Sequence, residues 1–238
     1  NDGTVTIGPD ASNQWLKGSG TGAYYNLISD NSSSLGMGVG ADLVVDNDLT
    51  INASKKLGFV GASYDVTVTG SVLVSGNFTT STTPTGDHTF GDLTIASGGE
   101  YIATSGVTSI ATGDFDNSGT FTHNNGSVDF THSSNTQNVN ENGTAEPTFY
   151  KFLMSKTGGT VVNWKDISII HTLSNTGDRY LQFKGDQGSI TATFGSSSIA
   201  CTIADGNRCL ASLAGAGPIK FYAADQLKPW VITTGGPN

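Results

Sequence analysis

The sequence predicts an all-β chain, a parallel β-solenoid (β-helix) with rungs of about 22 residues. Three observations carry that prediction. The phrase Asp48-Leu49-Thr50-Ile51 returns as Asp92-Leu93-Thr94-Ile95, 44 positions on (48 to 92). Degenerate copies beginning at Ser71 and Asp114 divide the chain into steps of 23, 21 and 22 (48 to 71, 71 to 92, 92 to 114). Second, Val66, Val68, Val72 and Val74 all fall on even positions, the period of a strand with one apolar face. Third, 32 of the 238 residues are Gly and only 13% are charged, about half the usual share for a globular protein. Thr, Val and Gly suit strands and tight turns, and no run has helical period. The hydrophobic share is 36%, but its ordered alternation argues against disorder.

Residues 1–40 read as an irregular lead-in with one short strand, Thr4-Val5-Thr6-Ile7. Trp15, Leu16, Tyr24, Tyr25, Leu27 and Ile28 supply apolar groups between Gly- and Ser-rich turns. A stack of rungs needs its ends covered, because an open end exposes core and unpaired strand edges. This region is therefore expected to be a cap or an inter-subunit segment. Residues 41–132 carry the repeat, with short strands separated by Ser-Gly, Asn-Gly, Gly-Gly and Thr-Gly pairs that supply turns. Two or three such strands per unit is the arithmetic of a solenoid rung. Residues 133–238 keep β character but lose the phrase. They form a divergent C-terminal region that either continues the solenoid or makes a β-sandwich. Its tail, Trp230-Val231-Ile232 and the residues after it, is apolar and β-prone: a last strand, or an arm that pairs with another molecule.

The formal net charge is −9. An acidic chain poor in Lys and Arg is a poor match for nucleic acid or for an anionic membrane surface. No apolar run approaches the ~18–20 residues of a membrane helix. The first residues lack the basic start and apolar core of a signal peptide, so the chain is expected to be a processed product or a fragment. Cys201 and Cys209 flank an Asp205-Gly206 turn signal. A hairpin there would bring them together as a disulfide, in an oxidising compartment. The spacing fits no zinc motif.

Motifs for chemistry are sparse. Asp114, Asp116 and Ser118, with Gly119 after them, match half of a calcium loop, but the twelfth position is Asn125 and not Glu. A turn whose Asp and Asn satisfy backbone groups explains them better. His88, His123, His132 and His171 form no paired-histidine motif. The repeat-phase carboxylates Asp92 and Asp114 could stack, with Ser71 interrupting the series. No nucleophile elbow or phosphate loop is present. No catalytic residue, metal or cofactor is expected.

Two stretches carry a resemblance. Asn117 to Phe130 (NSGTFTHNNGSVDF) and Thr148 to Val161 (TFYKFLMSKTGGTV) resemble consecutive repeat units of large bacterial extracellular surface proteins and adhesins. Lys151 and Phe152 depart from that pattern, which has Asn and Leu there, and the cysteine pair is not typical of it. Asp42 to Thr80 is similar, more weakly, to phage tail-fibre repeats. The resemblance implies a parallel β-helix at a cell or virion surface and supplies no catalytic residues.

The expectation is a structural extracellular protein, a self-assembling filament or surface-layer subunit whose partners are copies of itself. The candidate assembly contacts are Trp15, Tyr24, Tyr25, Trp230, Val231 and Ile232. The alternative is a glycan-binding adhesin or tail-fibre segment, with Trp15, Tyr24, Tyr25 and Trp164 stacking on sugar rings. A polysaccharide-active enzyme comes last.

Overall fold

A computed structural model describes residues 3–8, 14–16, 24–31, 37–59, 63–79, 84–159, 161–163, 167–175, 181–183, 191–194, 200–204, 208–212, 219–222 and 231–234, with 14, 15, 37, 162, 163, 168 and those after 169 described by their backbone alone. Short parallel strands stack about 22 residues apart, and the chain is a β-solenoid. Among the described residues, three ladders make the walls of the repeat region.

Face A carries the repeat phrase. It runs from Thr4–Ile7 through Asn26–Ser29 and Leu49–Ile51 to residues 72–74, 93–95 and Phe115–Asn117. Gln137–Val139, Val161–Asn163 and Leu181–Phe183 extend it. Face B stacks Gln14–Leu16, Met37–Val39, Lys56–Phe59, Asn77–Thr79, Glu100–Ile102 and Thr120–Thr122. Face C stacks Leu43–Val45, residues 66–68, 88–90, Val107–Ile110, Ser127–Phe130, 151–154 and 172–175. The chain visits B, C and A in turn.

Alternation places every second side chain in the lumen. In Val66–Val74 the four valines are buried and the residues between them lie toward solvent. Stacking in register turns these positions into columns. On face A, Leu27, Leu49, Val72, Leu93 and Phe115 lie one above the next. On face B, Leu57, Phe78, Tyr101 and Phe121 do the same, and Phe78 and Tyr101 pack with ring centroids 5.2 Å apart.

Faces C and A meet at a corner so tight that its glycines form a column of their own. A Cβ on Gly91 would overlap the carbonyl oxygens of Thr69 and Gly70 in the rung before it, and one on Gly70 would stand 2.5 Å from Asp48 Oδ1. The residues 66–74 and 88–95 therefore run from one face to the next as single bent strands, with a register shift between Phe90 and Asp92. This close approach accounts for part of the glycine content.

The ladder begins earlier than the sequence suggested. Thr4–Ile7, Gln14–Leu16, Asn26–Ser29 and Met37–Val39 are already rungs, inside the stretch read as an irregular lead-in. After Phe130 the parallel stack continues: residues 148–149 pair with 168–169, Ile167–Ile169 with 192–194, and Thr191–Phe194 with Val231–Thr234. One antiparallel unit is inserted, in which Ala200–Ala204 pairs with Arg208–Ser212 and the latter with Ile219–Tyr222.

Candidate assembly surface

Some inward positions are polar, and their side chains hydrogen-bond inside the lumen except at His88 Nε2. His88 and Thr108 occupy successive levels of a face C column otherwise made of Leu43, Val66, Val128 and Phe152. Tyr101 reaches them from face B. Its hydroxyl lies 2.8 Å from His88 Nδ1 and 3.0 Å from Thr108 Oγ1. His88 is fully buried, stacks on Phe78, and leaves Nε2 without a hydrogen-bond partner. Burial pushes its pKa down to about 3, so the ring is neutral. A second internal group is Lys156, whose Nζ donates to Gln137 Oε1 at 2.8 Å and to the Asn135 carbonyl at 3.0 Å. Gln137 Nε2 in turn donates to the carbonyls of Ile110 and Gly113. Nothing in the repeat phrase marks His88 or Lys156. The mark is local: a polar residue at an inward-facing position.

A series of corner carboxylates binds the next rung. Asp42 Oδ1 accepts the Asp65 N–H at 2.9 Å, Asp65 the Asp87 N–H at 2.8 Å, and Asp87 the Val107 N–H at 2.8 Å. At the corner of the repeat phrase, Asp48 Oδ1 accepts the Ser71 N–H at 2.8 Å. The half calcium loop behaves the same way. Asp114 binds Asn138, Asp116 binds Asn142, and Ser118 Oγ accepts the Thr144 N–H at 3.1 Å. Among the described residues, no group of three or more His, Cys, Asp or Glu side chains is placed to hold a metal ion.

The first described rung differs from the walls. Val5 pairs in register with Leu27, which is fully buried, so Val5 sits on the same inward column. Yet Val5 is 37% exposed. Asn26 and Asp30 donate to the carbonyls of Gly3 and Ile7 at 3.2 and 3.0 Å, which turns the odd residues of this strand toward its neighbour. Thr4 and Thr6 therefore direct their backbone groups outward. Among the described residues no strand pairs with that outer edge.

The predicted contact residues that are described do not gather into one surface. Tyr24 is partly buried against the core and bridges to Val45, and Tyr25 gives its carbonyl to Asn47 at 2.8 Å. Trp15 lies on face B, its backbone in register with Gly38. Val231 and Ile232 pair with Thr191 and Ala192, so the tail is a strand of the stack in this single chain. Trp230 and Trp164 lie outside the described residues. The hairpin expected around the cysteines is present, with Cys201 in register with Ala211 and Cys209 with Ile203. The turn residues 205–207 lie outside the described set.

No known family, curated protein or solved structure matches the chain.

Proposed function

We propose that this chain is a structural subunit of an extracellular filament or surface layer, built by end-on stacking of identical copies. The observation that carries this reading is Val5, an inward column residue left 37% exposed on a strand whose outer edge has no described partner. An open parallel edge is a template for another strand. A contact between unlike ends of identical chains stacked along one axis leaves a free end at each step, and such contacts propagate into filaments.

The walls support the same reading. Carboxylates and hydroxyls on the corners bind neighbouring rungs, and the lumen is filled by its own side chains. A rod of strands at about 4.8 Å spacing is stiff and needs no cofactor to hold its shape. The surface location draws on the low charge, the Ser/Thr/Asn-rich faces and the resemblance carried by residues 117–161.

Negative-stain electron microscopy of the purified chain, across a dilution series, is the test. Regular fibres that shorten on dilution support the proposal. Dispersed single rods at every concentration overturn it, and a glycan array is then the next experiment.

A further inference from the structure

The antiparallel insertion near the C-terminal end has a consequence for strand direction. Ile219–Tyr222 runs parallel to Leu181–Phe183 and so continues face A in the direction of the rungs. Arg208–Ser212 lies antiparallel beside it, and Ala200–Ala204 antiparallel beside that. Two reversals restore the original direction. The outermost described strand on this side of face A, Ala200–Ala204, therefore points the same way as Thr4–Ile7.

Its sequence is also that of face A. The phrase at this wall is an apolar residue, Thr, then Ile: Leu49-Thr50-Ile51, Leu93-Thr94-Ile95 and, at the first described rung, Val5-Thr6-Ile7. The outermost strand repeats it as Cys201-Thr202-Ile203. Inside the chain, such phrases stack in register: Leu49-Thr50-Ile51 and Leu93-Thr94-Ile95 both pair residue for residue with residues 72–74 between them. Among the described residues, Ala200–Ala204 has a partner only on the side of Arg208–Ser212.

We propose that a second copy of this chain docks its strand Ala200–Ala204 against Thr4–Ile7, parallel and in phrase register, so that face A runs on from molecule to molecule. Cys201 is then level with Val5 and Ile203 with Ile7. The docked strand covers the exposed Val5 and takes up the outward backbone groups of Thr4 and Thr6. This rests on the filament reading and gives it a contact: the two partners are unlike strands of one chain, so the assembly is polar and head to tail.

The test uses the full chain in three forms: wild type, Thr6→Pro and Thr6→Val. Proline removes an outward-facing N–H from an edge strand, where it is tolerated; valine keeps the N–H. Fibre formation is scored by electron microscopy. Hydrogen exchange is followed on peptides covering residues 4–7 and 200–204, in assembled and dispersed samples. The expected result is fibres from wild type and Thr6→Val and at least a tenfold loss of polymer for Thr6→Pro. Both peptides should be slowed at least tenfold in wild-type fibres. Wild-type fibres in which neither peptide, or only one, gains protection overturn this contact and leave the filament reading standing. That readout decides even if Thr6→Pro does not fold. Absence of wild-type fibres overturns the filament reading, and the contact with it.

Discussion

Ser71 donates its hydroxyl to Asp92 Oδ2 at 3.1 Å, linking two successive rungs at the corner between faces C and A. Asp92 is half-buried, and its carboxyl is held above the usual range, first by burial and then by the charges of Asp114, Asp48 and Asp116. The Ser71 bond opposes that shift but does not cancel it. A carboxyl whose folded pKa is raised binds its proton more tightly folded than unfolded. It therefore weakens the fold once pH rises above its unfolded value, and the penalty vanishes in acid. Asp92→Asn keeps an acceptor for Ser71 and removes the charge. The expected outcome is a melting temperature about 1–3 °C higher at pH 7, a small figure because the site is partly screened by solvent, and no difference near pH 3. Thermal melts by circular dichroism at the two pH values check it. A lower melting temperature at pH 7 would contradict the proposed balance of charges.

His88 has the opposite sign. Its folded pKa of about 3 lies below the 6.5 of the free side chain, so the unfolded state takes up the proton first. Stability contributed by the neutral ring is complete above pH 6.5 and declines as pH falls toward 3. His123, also pushed down by burial, pulls in the same direction. Urea unfolding at pH 7, 6 and 5 should show falling stability before most carboxylates titrate. His88→Leu should flatten that slope, since Leu matches the aliphatic neighbours of the column. A slope unchanged by His88→Leu would assign the acid sensitivity elsewhere.

The corner glycines give a contrast that does not depend on charge. Gly91→Ala forces a methyl against the Thr69 and Gly70 carbonyls, backbone atoms that cannot turn aside. Overpacking of this kind costs about 2–3 kcal/mol. Gly40→Ala meets nothing within 4 Å and should be neutral or slightly stabilising through the unfolded state. Denaturant midpoints for the two variants test the pair, and equal midpoints would refute the steric account of the corner.

The fold was legible because two of its features repeat in sequence. The phrase at Leu49 and Leu93 marks one wall, and the even-numbered valines from Val66 to Val74 mark two strands that the structure joins into one. What escaped was what has no room to show a period. Asn77–Thr79 is three residues long with one buried side chain, Phe78, and a single apolar residue cannot alternate with anything. The same holds for Gln137–Val139, where an amide takes an inward place because Lys156 lies beside it. Ser71 read as a break in the Asp series, yet it is a link, since a hydroxyl can donate where a carboxylate cannot. The exposure of Val5 was not visible at all, because it has the sequence of a core residue and only its surroundings distinguish it.

The stretch from Asp114 to Ser118 shows how a metal-like spacing arises without a metal. Its three oxygen-bearing side chains alternate along Phe115–Asn117 and the residues beside it, so they recur every second position, as ligands of a calcium loop do. Here Asp114 reaches Asn138 in the next strand, and Asp116 and Ser118 reach the segment between Val139 and Thr148. Asp116 carries both ends of one contact, taking the Asn142 N–H at 2.9 Å and its side-chain amide at 3.1 Å. Asp116→Ala removes both and should loosen the segment around Asn142, while the bonds made by Asn140, Thr144 and Ala145 on either side remain. The expected outcome is faster limited proteolysis within residues 140–147, with the rest of the chain as resistant as before. Asp116→Asn can still accept from the Asn142 N–H and should fall between the two. If cleavage of Asp116→Ala proceeds at the wild-type rate, the segment is held by its own bonds, chiefly those from Thr144 and Ala145 to the Asn117 carbonyl at 2.9 Å, and Asp116 is dispensable.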